Sequence, residues 1–277
     1  MIKLFVTDLD DTLYSWIGFF IPAFYDMVQE LSEIINVPQD KILEEYKAIH
    51  RKVGSVEYPF ATISLPSVKR KYDGYTEEQI KGELNSAFHK FNSKRKQLLK
   101  LYPGVEDTLK FLDYKNIPVI AYTESAEENG FYRLRKLGID SFFKKVYVSD
   151  SSYIRPDTIP TSPKTFVVHG NKPNTEILKR ICQNEKISIK ETLYIGDSLS
   201  KDMLMAKDAG AISVWCNYPK VDIQDLYSKL VAVSHWKNED FQREEQYKNE
   251  WKTKGYKPDF TIHSFDECKK IILDING

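Results

Sequence analysis

The chain has 277 residues, 42% hydrophobic and 29% charged, the make-up of an ordinary globular protein of one large domain or two modest ones. Forty basic and forty acidic side chains give a formal net charge of zero, so the overall charge points neither to nucleic acid nor to an anionic membrane. Three widely spaced cysteines, Cys182, Cys216 and Cys268, without a CxxC pair, argue for buried free thiols in a reducing compartment rather than a disulfide or zinc framework.

The first predicted element is a strand, KLFVT (3–7), and it runs straight into three carboxylates in four positions, Asp8, Asp10 and Asp11. At an effective dielectric of about 20, two unit charges roughly 4 Å apart repel by about 4 kcal/mol, so such a cluster calls for a cation or a shared proton. The most apolar stretch follows, WIGFFIPAFYDMV (16–28). It contains Pro22 and Asp26 and is shorter than the ~20 residues that span a bilayer, so no membrane association and a cytoplasmic location are expected. Tyr14, Trp16, Phe19 and Phe20 fit either core packing or the lining of a site entrance.

From 17 to 100 no strand is predicted. Amphipathic patterns such as FYDMVQELSEII, KILEEYKAIHRKV and TEEQIKGELNSAFHKF describe a helical insertion between the first and second strands, with Pro103 and Gly104 marking the return. The basic runs HRK (50–52), KRK (69–71) and KRK (94–96) within it read either as solvated helix faces or as cations for a phosphorylated substrate.

Beyond the insertion, strands PVIAYT (118–123), KVYVS (145–149), TLYIGD (192–197), ISVWC (212–216) and PDFTIH (258–263) alternate with helical patterns over 104–115, 127–138, 174–185 and 199–210. Nearly continuous apolar strands separated by helices predict an α/β fold: a Rossmann-like parallel sheet with right-handed crossovers. The connection 150–171, rich in Pro and Ser, is read as a long link with room for a small hairpin, and 221–256 as a polar helical accessory. The predicted division is therefore a core of 1–16 and 101–277 and a helical cap of 17–100.

In open α/β sheets ligands gather beyond the carboxyl ends of the strands, where strand order reverses. Asp8 and Asp10 follow the first strand, Thr123 closes the second, and Asp197 closes TLYIGD. Asp8 and Asp10 are spaced by two, so an extended backbone turns their carboxylates to one face. With Asp197 they offer hard oxygen ligands of the kind Mg²⁺ prefers.

These residues resemble the motifs of the haloacid dehalogenase superfamily. DLDDT (8–12) is similar to its first motif, DxDx[TV]; Thr123 ending a strand to its second; Lys172 before Pro173 to its third; and GDSLSKD (196–202) to its fourth, GDxxxxD. Four motifs in order and in strand context are a specific signal, and the resemblance runs from about 2 to 216. It is similar to the capped subfamily I branch, and what it implies is a Mg²⁺-dependent phosphatase acting on a small phosphorylated metabolite, as a monomer or homodimer.

On this resemblance Asp8 is the nucleophile forming an aspartyl phosphate, and Asp10 the acid and base. Mg²⁺ is held by the Asp8 carboxylate, the Asp10 carbonyl and Asp197. Thr123 and Lys172 hold the phosphoryl oxygens, with Glu124 beside them, and Asp202 orients Lys172 or a metal-bound water. Thr12 fixes the first loop through nearby backbone, and Ser198 either meets the metal site through its backbone or starts the following helix. Glu124 stands where the family often has Asn, and Asn171 where Gly is common. A phosphomutase uses the same aspartates; a haloacid dehalogenase needs no Asp10; a non-catalytic phosphate-binding protein would not retain every reactive group.

Overall fold

The four residues Leu4–Thr7 are buried on both sides, the pattern of a strand at the centre of a covered sheet. In the computed structural model of the chain, which describes residues 1–58, 60–150, 162–218 and 223–277, that strand is β1. It pairs in parallel with β2 (Val119–Ala126) and β5 (Thr192–Gly196). The sheet continues through β3 (Phe143–Ser149) and β4 (Thr165–Val168) on one side and β6 (Ile212–Cys216) and β7 (Phe260–Ile262) on the other. Every neighbouring pair is parallel, in the order β4-β3-β2-β1-β5-β6-β7. The chain moves outward from β1 to β4 and then crosses back to β5, so the order reverses between β1 and β5.

All six predicted strands are present. β4 is a seventh, and it joins β3 in parallel, so it does not form a hairpin with it; residues 151–161 of the predicted link lie outside the described residues. β2 runs to Ala126, past the predicted end at Thr123, with an irregular register against β3 between Tyr122 and Ala126.

The helices are, in chain order, α1 (Trp16–Ile35), α2 (Gln39–Val53), α3 (Ala61–Ser64), α4 (Pro66–Lys71), α5 (Glu77–Glu83), α6 (Asn85–Leu98), α7 (Val105–Tyr114), α8 (Glu127–Lys136), α9 (Thr175–Glu185), α10 (Leu204–Ala209), α11 (Ile223–Val233), α12 (Asn238–Thr253) and α13 (Glu267–Asn276). No helix among the described residues is long and apolar enough to cross a membrane.

The chain divides into two compact units. One comprises Met1–Ser15, Lys100–Pro219 and Gln242–Gly277 and holds the sheet; the other comprises Trp16–Leu99 and Lys220–Phe241 and, among the described residues, contains helices but no strand. The sequence reading assigned all of 101–277 to the core, whereas Lys220–Phe241 packs with the helical unit. Leu230 and Val233 of α11 are buried, Tyr25 Oη of α1 donates to the Lys229 carbonyl at 3.0 Å, and His50 Nδ1 of α2 meets the Val233 carbonyl at 2.8 Å. Eleven residues between polar flanks carry too little periodicity to announce which apolar partner they will find.

Within the helical unit, Phe20 stacks on Trp16 and meets Phe91 edge-on, so the aromatic run after the first motif is core packing there. In the sheet unit, Leu4, Val6, Ile120, Tyr122 and Tyr194 turn one sheet face toward Ile177, Leu178 and Ile181 of α9 and Met205 and Ala206 of α10. Phe5, on the opposite face of β1, meets Phe265 edge-on at 6.2 Å. The three cysteines are buried free thiols. Burial of each such aliphatic or aromatic side chain contributes roughly 1.5–3 kcal/mol, which fixes β1 rigidly beneath the residues at its end.

Candidate functional site

Asp8 is the first residue beyond β1. Its amide donates to the Ile195 carbonyl of β5 at 2.9 Å, so the backbone ladder sets its position before any side chain acts. The carboxylate is buried, 7% exposed as a residue. Lys172 Nζ donates to its Oδ1 at 2.6 Å and Thr12 Oγ1 to its Oδ2 at 3.1 Å. Thr12 therefore fixes the loop through the Asp8 carboxylate rather than through nearby backbone. The loop turns at Asp11, in the left-handed region with φ 57°, a conformation Asp tolerates better than most residues.

Lys172 reaches the same point from the segment before α9. Its ammonium is also 2.9 Å from Asp202 Oδ1 and lies over two tyrosine rings, 5.1 Å from the Tyr122 centroid and 5.7 Å from that of Tyr194. Such ring faces attract a desolvated cation. Burial pulls the lysine down, but the charges of Asp202 and Asp8 outweigh it and hold the group well above its ordinary value, so it stays protonated. Pro173 precedes α9 instead of entering its first turn; Asn174 caps the helix, its Oδ1 accepting from Ile177 N at 3.1 Å, and the Lys172–Pro173 bond is cis.

The fourth motif folds tightly over Asp202. The turn after β5 is wider than an α-helical one, with Met203 N bonded to the Ser198 carbonyl at 3.0 Å. Ser198 makes two contacts: its Oγ accepts from Lys201 N at 3.2 Å, starting the turn, and its amide donates to Asp202 Oδ2 at 3.2 Å. Tyr194 Oη donates to Asp202 Oδ1 at 2.8 Å. A Cβ on Gly196 would lie 2.4 Å from Asp202 Cγ, so only glycine admits the carboxylate at this depth. Asp197 is held by its own carbonyl, which accepts from Trp215 Nε1 at 2.9 Å.

Asp8, Asp197 and Asp202 each offer a carboxylate oxygen within 4.8 Å of the others. Three carboxylates against the one ammonium of Lys172 leave two negative charges in a largely buried volume. Burial pushes the Asp8 carboxyl well up; Lys172 pulls it down, and Asp202, Asp197 and Asp10 push it up again. A divalent cation with hard oxygen preference fits this donor set and its charge, and it would act there as a Lewis acid and charge shield. Asp8 and Asp202 each have both carboxylate oxygens hydrogen-bonded, so a cation bound here would take the place of some of those bonds.

The other predicted residues fall around this cluster. Thr123 is buried, its Oγ1 accepting from Ser125 N at 3.0 Å. Glu124 does not confront the site unopposed. Its Oε1 accepts from Lys172 N at 3.1 Å and its Oε2 pairs with Lys201 Nζ at 2.7 Å, so it braces the segment that carries the lysine. The Asp10 carboxylate is not among the three that could share a cation; it is hydrogen-bonded to Ser125 and Arg133.

Sequence reasoning missed Ser125, Arg133, Tyr194 and Lys201. Arg133 left a faint signal. It lies three residues after Gly130 and beside Leu134, on the buried stripe of α8, whereas Arg135 and Lys136 are exposed.

The chain is similar to known proteins over most of its length. The family model for haloacid dehalogenase-like hydrolases matches residues 2–210. A glyceraldehyde 3-phosphate phosphatase of Methanocaldococcus jannaschii is 25% identical over 215 residues, 77% of this chain and 84% of that protein. A phosphoglycolate phosphatase of Pseudomonas fluorescens is 30% identical over 122 residues, 44% of this chain and 39% of that protein. The crystal structure of a 2-haloacid dehalogenase from Pseudomonas syringae pv. Tomato superposes with a TM-score of 0.56 at 19% identity, covering 99% of this chain and 100% of that one, a likeness of fold.

Proposed function

Because this chain belongs to the haloacid dehalogenase-like hydrolase family, we propose that it is a Mg²⁺-dependent phosphatase that cleaves a small phosphorylated metabolite through an aspartyl-phosphate intermediate. The observation that carries the reading is the buried Asp8 carboxylate. It stands at the end of the central strand, 2.6 Å from the Lys172 ammonium, with Asp197 and Asp202 close enough to share one cation with it. A nucleophilic carboxylate must approach a phosphate dianion, and that approach needs positive charge placed beforehand.

In this reading Lys172 and Thr123 bind phosphoryl oxygens, Thr12 keeps the Asp8 carboxylate in its attacking orientation, and Asp202 holds Lys172 in place. Asp10 serves the leaving group. Asp8, Asp197 and the Asp10 carbonyl are the residues that would hold Mg²⁺, whose chemistry is to screen the meeting of two anions. The relatives named for two- and three-carbon phosphates support a short acyclic ester as substrate.

The test is phosphate release over a panel of glyceraldehyde 3-phosphate, phosphoglycolate, sugar phosphates and nucleotides, with and without Mg²⁺. Asp8→Asn is expected to abolish release from every member while the protein still folds, because the amide keeps the shape of the side chain. Undiminished turnover by that variant would refute the reading.

A further inference from the structure

The Asp10 carboxylate is held by side chains that no motif contains, and Tyr14 also faces it and Arg133. Arg133 Nη1 donates to Asp10 Oδ1 at 2.8 Å and Ser125 Oγ donates to Oδ2 at 2.5 Å. The ring closes because Arg133 Nη1 also donates to Ser125 Oγ at 3.0 Å. Ser125 comes from the end of β2 and Arg133 from α8, so two elements converge on one carboxylate that leaves the loop after β1. The arginine side chain is 3% exposed and the aspartate side chain 25% exposed. Asp10 thus keeps an open side, whereas Arg133 has almost no surface to present to a substrate.

Burying a guanidinium costs several kcal/mol in lost hydration, and replacing a buried ion pair by apolar groups is often neutral or stabilising. Stability is therefore a weak reason for an arginine here. What an arginine supplies is a rigid, planar, permanently charged fork that fixes the direction of the carboxylate it holds.

We propose that Arg133, with Ser125, is a positioning residue that sets the orientation from which Asp10 serves the leaving group, an inference that rests on the phosphatase reading above. In the first half-reaction an Asp8 oxygen forms a bond to phosphorus and the ester P–O bond breaks. The electron pair of that bond leaves with the ester oxygen, which takes the proton brought by Asp10. In the second half-reaction water attacks phosphorus, Asp10 takes one of its protons, and the bond between phosphorus and the Asp8 oxygen breaks to release phosphate. Both transfers need the Asp10 carboxyl within hydrogen-bond reach of a transient oxygen, and a misplacement of about 1 Å can cost about 100-fold in rate.

Leaving-group dependence separates this role from a general structural one. An alkoxide needs the proton as it departs, whereas p-nitrophenolate hardly does. In Mg²⁺ buffer, Arg133→Met is expected to lower kcat about 100-fold on β-glycerophosphate, with a loss at least tenfold smaller on p-nitrophenyl phosphate and KM for both within about threefold. Arg133→Lys should recover part of the alkyl-ester loss, since it keeps the charge but not the fork. In an Asp10→Asn background, Arg133→Met should add less than about twofold. If Arg133→Met does not fold, Ser125→Ala carries the same comparison by removing a single hydroxyl. Equal losses on the two esters, or a full Arg133 effect that persists without Asp10, overturn the inference while leaving the phosphatase reading intact. A parent enzyme that releases phosphate from neither ester overturns that reading and this inference together.

Discussion

Replacing Lys172 by methionine tests the charge balance of the site without any assay of activity. The side chains of Asp8 and Asp202 lie 2.6 and 2.9 Å from the ammonium, and all three groups are buried. Without the lysine, two carboxylates within 4.8 Å of each other repel by about 3.5 kcal/mol at an effective dielectric of about 20. Removing one partner of a buried pair costs roughly 3–5 kcal/mol by an independent route, so Lys172→Met should lower unfolding free energy by about 3–4 kcal/mol at pH 7 in EDTA. The pH dependence has a definite sign. Lys172 lowers the Asp8 carboxyl, so its loss raises that carboxyl further above its ordinary value of 3.8. Between 3.8 and the raised value the native state holds more protons than the unfolded chain, and stability falls as pH rises. The deficit of the variant should accordingly be small near pH 4 and largest near neutrality. Mg²⁺ at about 100 times its dissociation constant adds about 2.7 kcal/mol to any state that binds it. The variant, with its extra unbalanced charge, should bind Mg²⁺ more tightly than the parent and gain more from it. The measurement is urea denaturation of both proteins at several pH values, in EDTA and in Mg²⁺. Equal stability of the two in EDTA at pH 7, or the same Mg²⁺ increment for both, would show that these charges do not share one cation.

Three further outcomes follow from the geometry. Gly196→Ala forces a methyl to within 2.4 Å of Asp202 Cγ and should cost about 1–3 kcal/mol in urea denaturation as well as phosphate release; an active variant within 0.5 kcal/mol of the parent, about the spread of neutral surface substitutions, would mean that Asp202 is free to move. Glu124→Ala unties Lys172 N and Lys201 and should lower kcat/KM about tenfold, while stability changes by about 1 kcal/mol or less because the Glu124–Lys201 pair is about a third exposed; an unaltered kcat/KM would show that the brace has no part in catalysis. Burial holds His50 down at about 4, with its Nδ1 on the Val233 carbonyl, so the native state holds fewer protons than the unfolded chain between about 4 and 6.5. Stability should then drop by up to roughly 3 kcal/mol as pH falls through that window, and His50→Gln should remove that slope from stability–pH curves.

How much of this was legible beforehand divides along a physical line. Local pattern determines the strands, because an apolar run such as LFV (4–6) has one stable use in a chain of this kind, and it determines which polar residues stand at strand ends. The chain alone therefore supplied the parallel α/β core, the helical insertion and the placing of Asp8 and Asp197 at strand ends, whereas Lys172 and Asp202 came from the family resemblance. Partnerships between side chains from different crossovers needed the folded sheet. Arg133 is 123 residues from Asp10, and Lys201 is 77 from Glu124; which helix carries them past which strand depends on sheet order and register. The same holds for β4, which exists as a strand only because β3 offers it an edge, and for α11, whose few apolar residues joined the helical unit rather than the core. An isolated strand records its own burial, but an exposed-looking arginine or glutamate records nothing of the charge it will meet, since that meeting is created by the long crossovers and not by its neighbours in the chain.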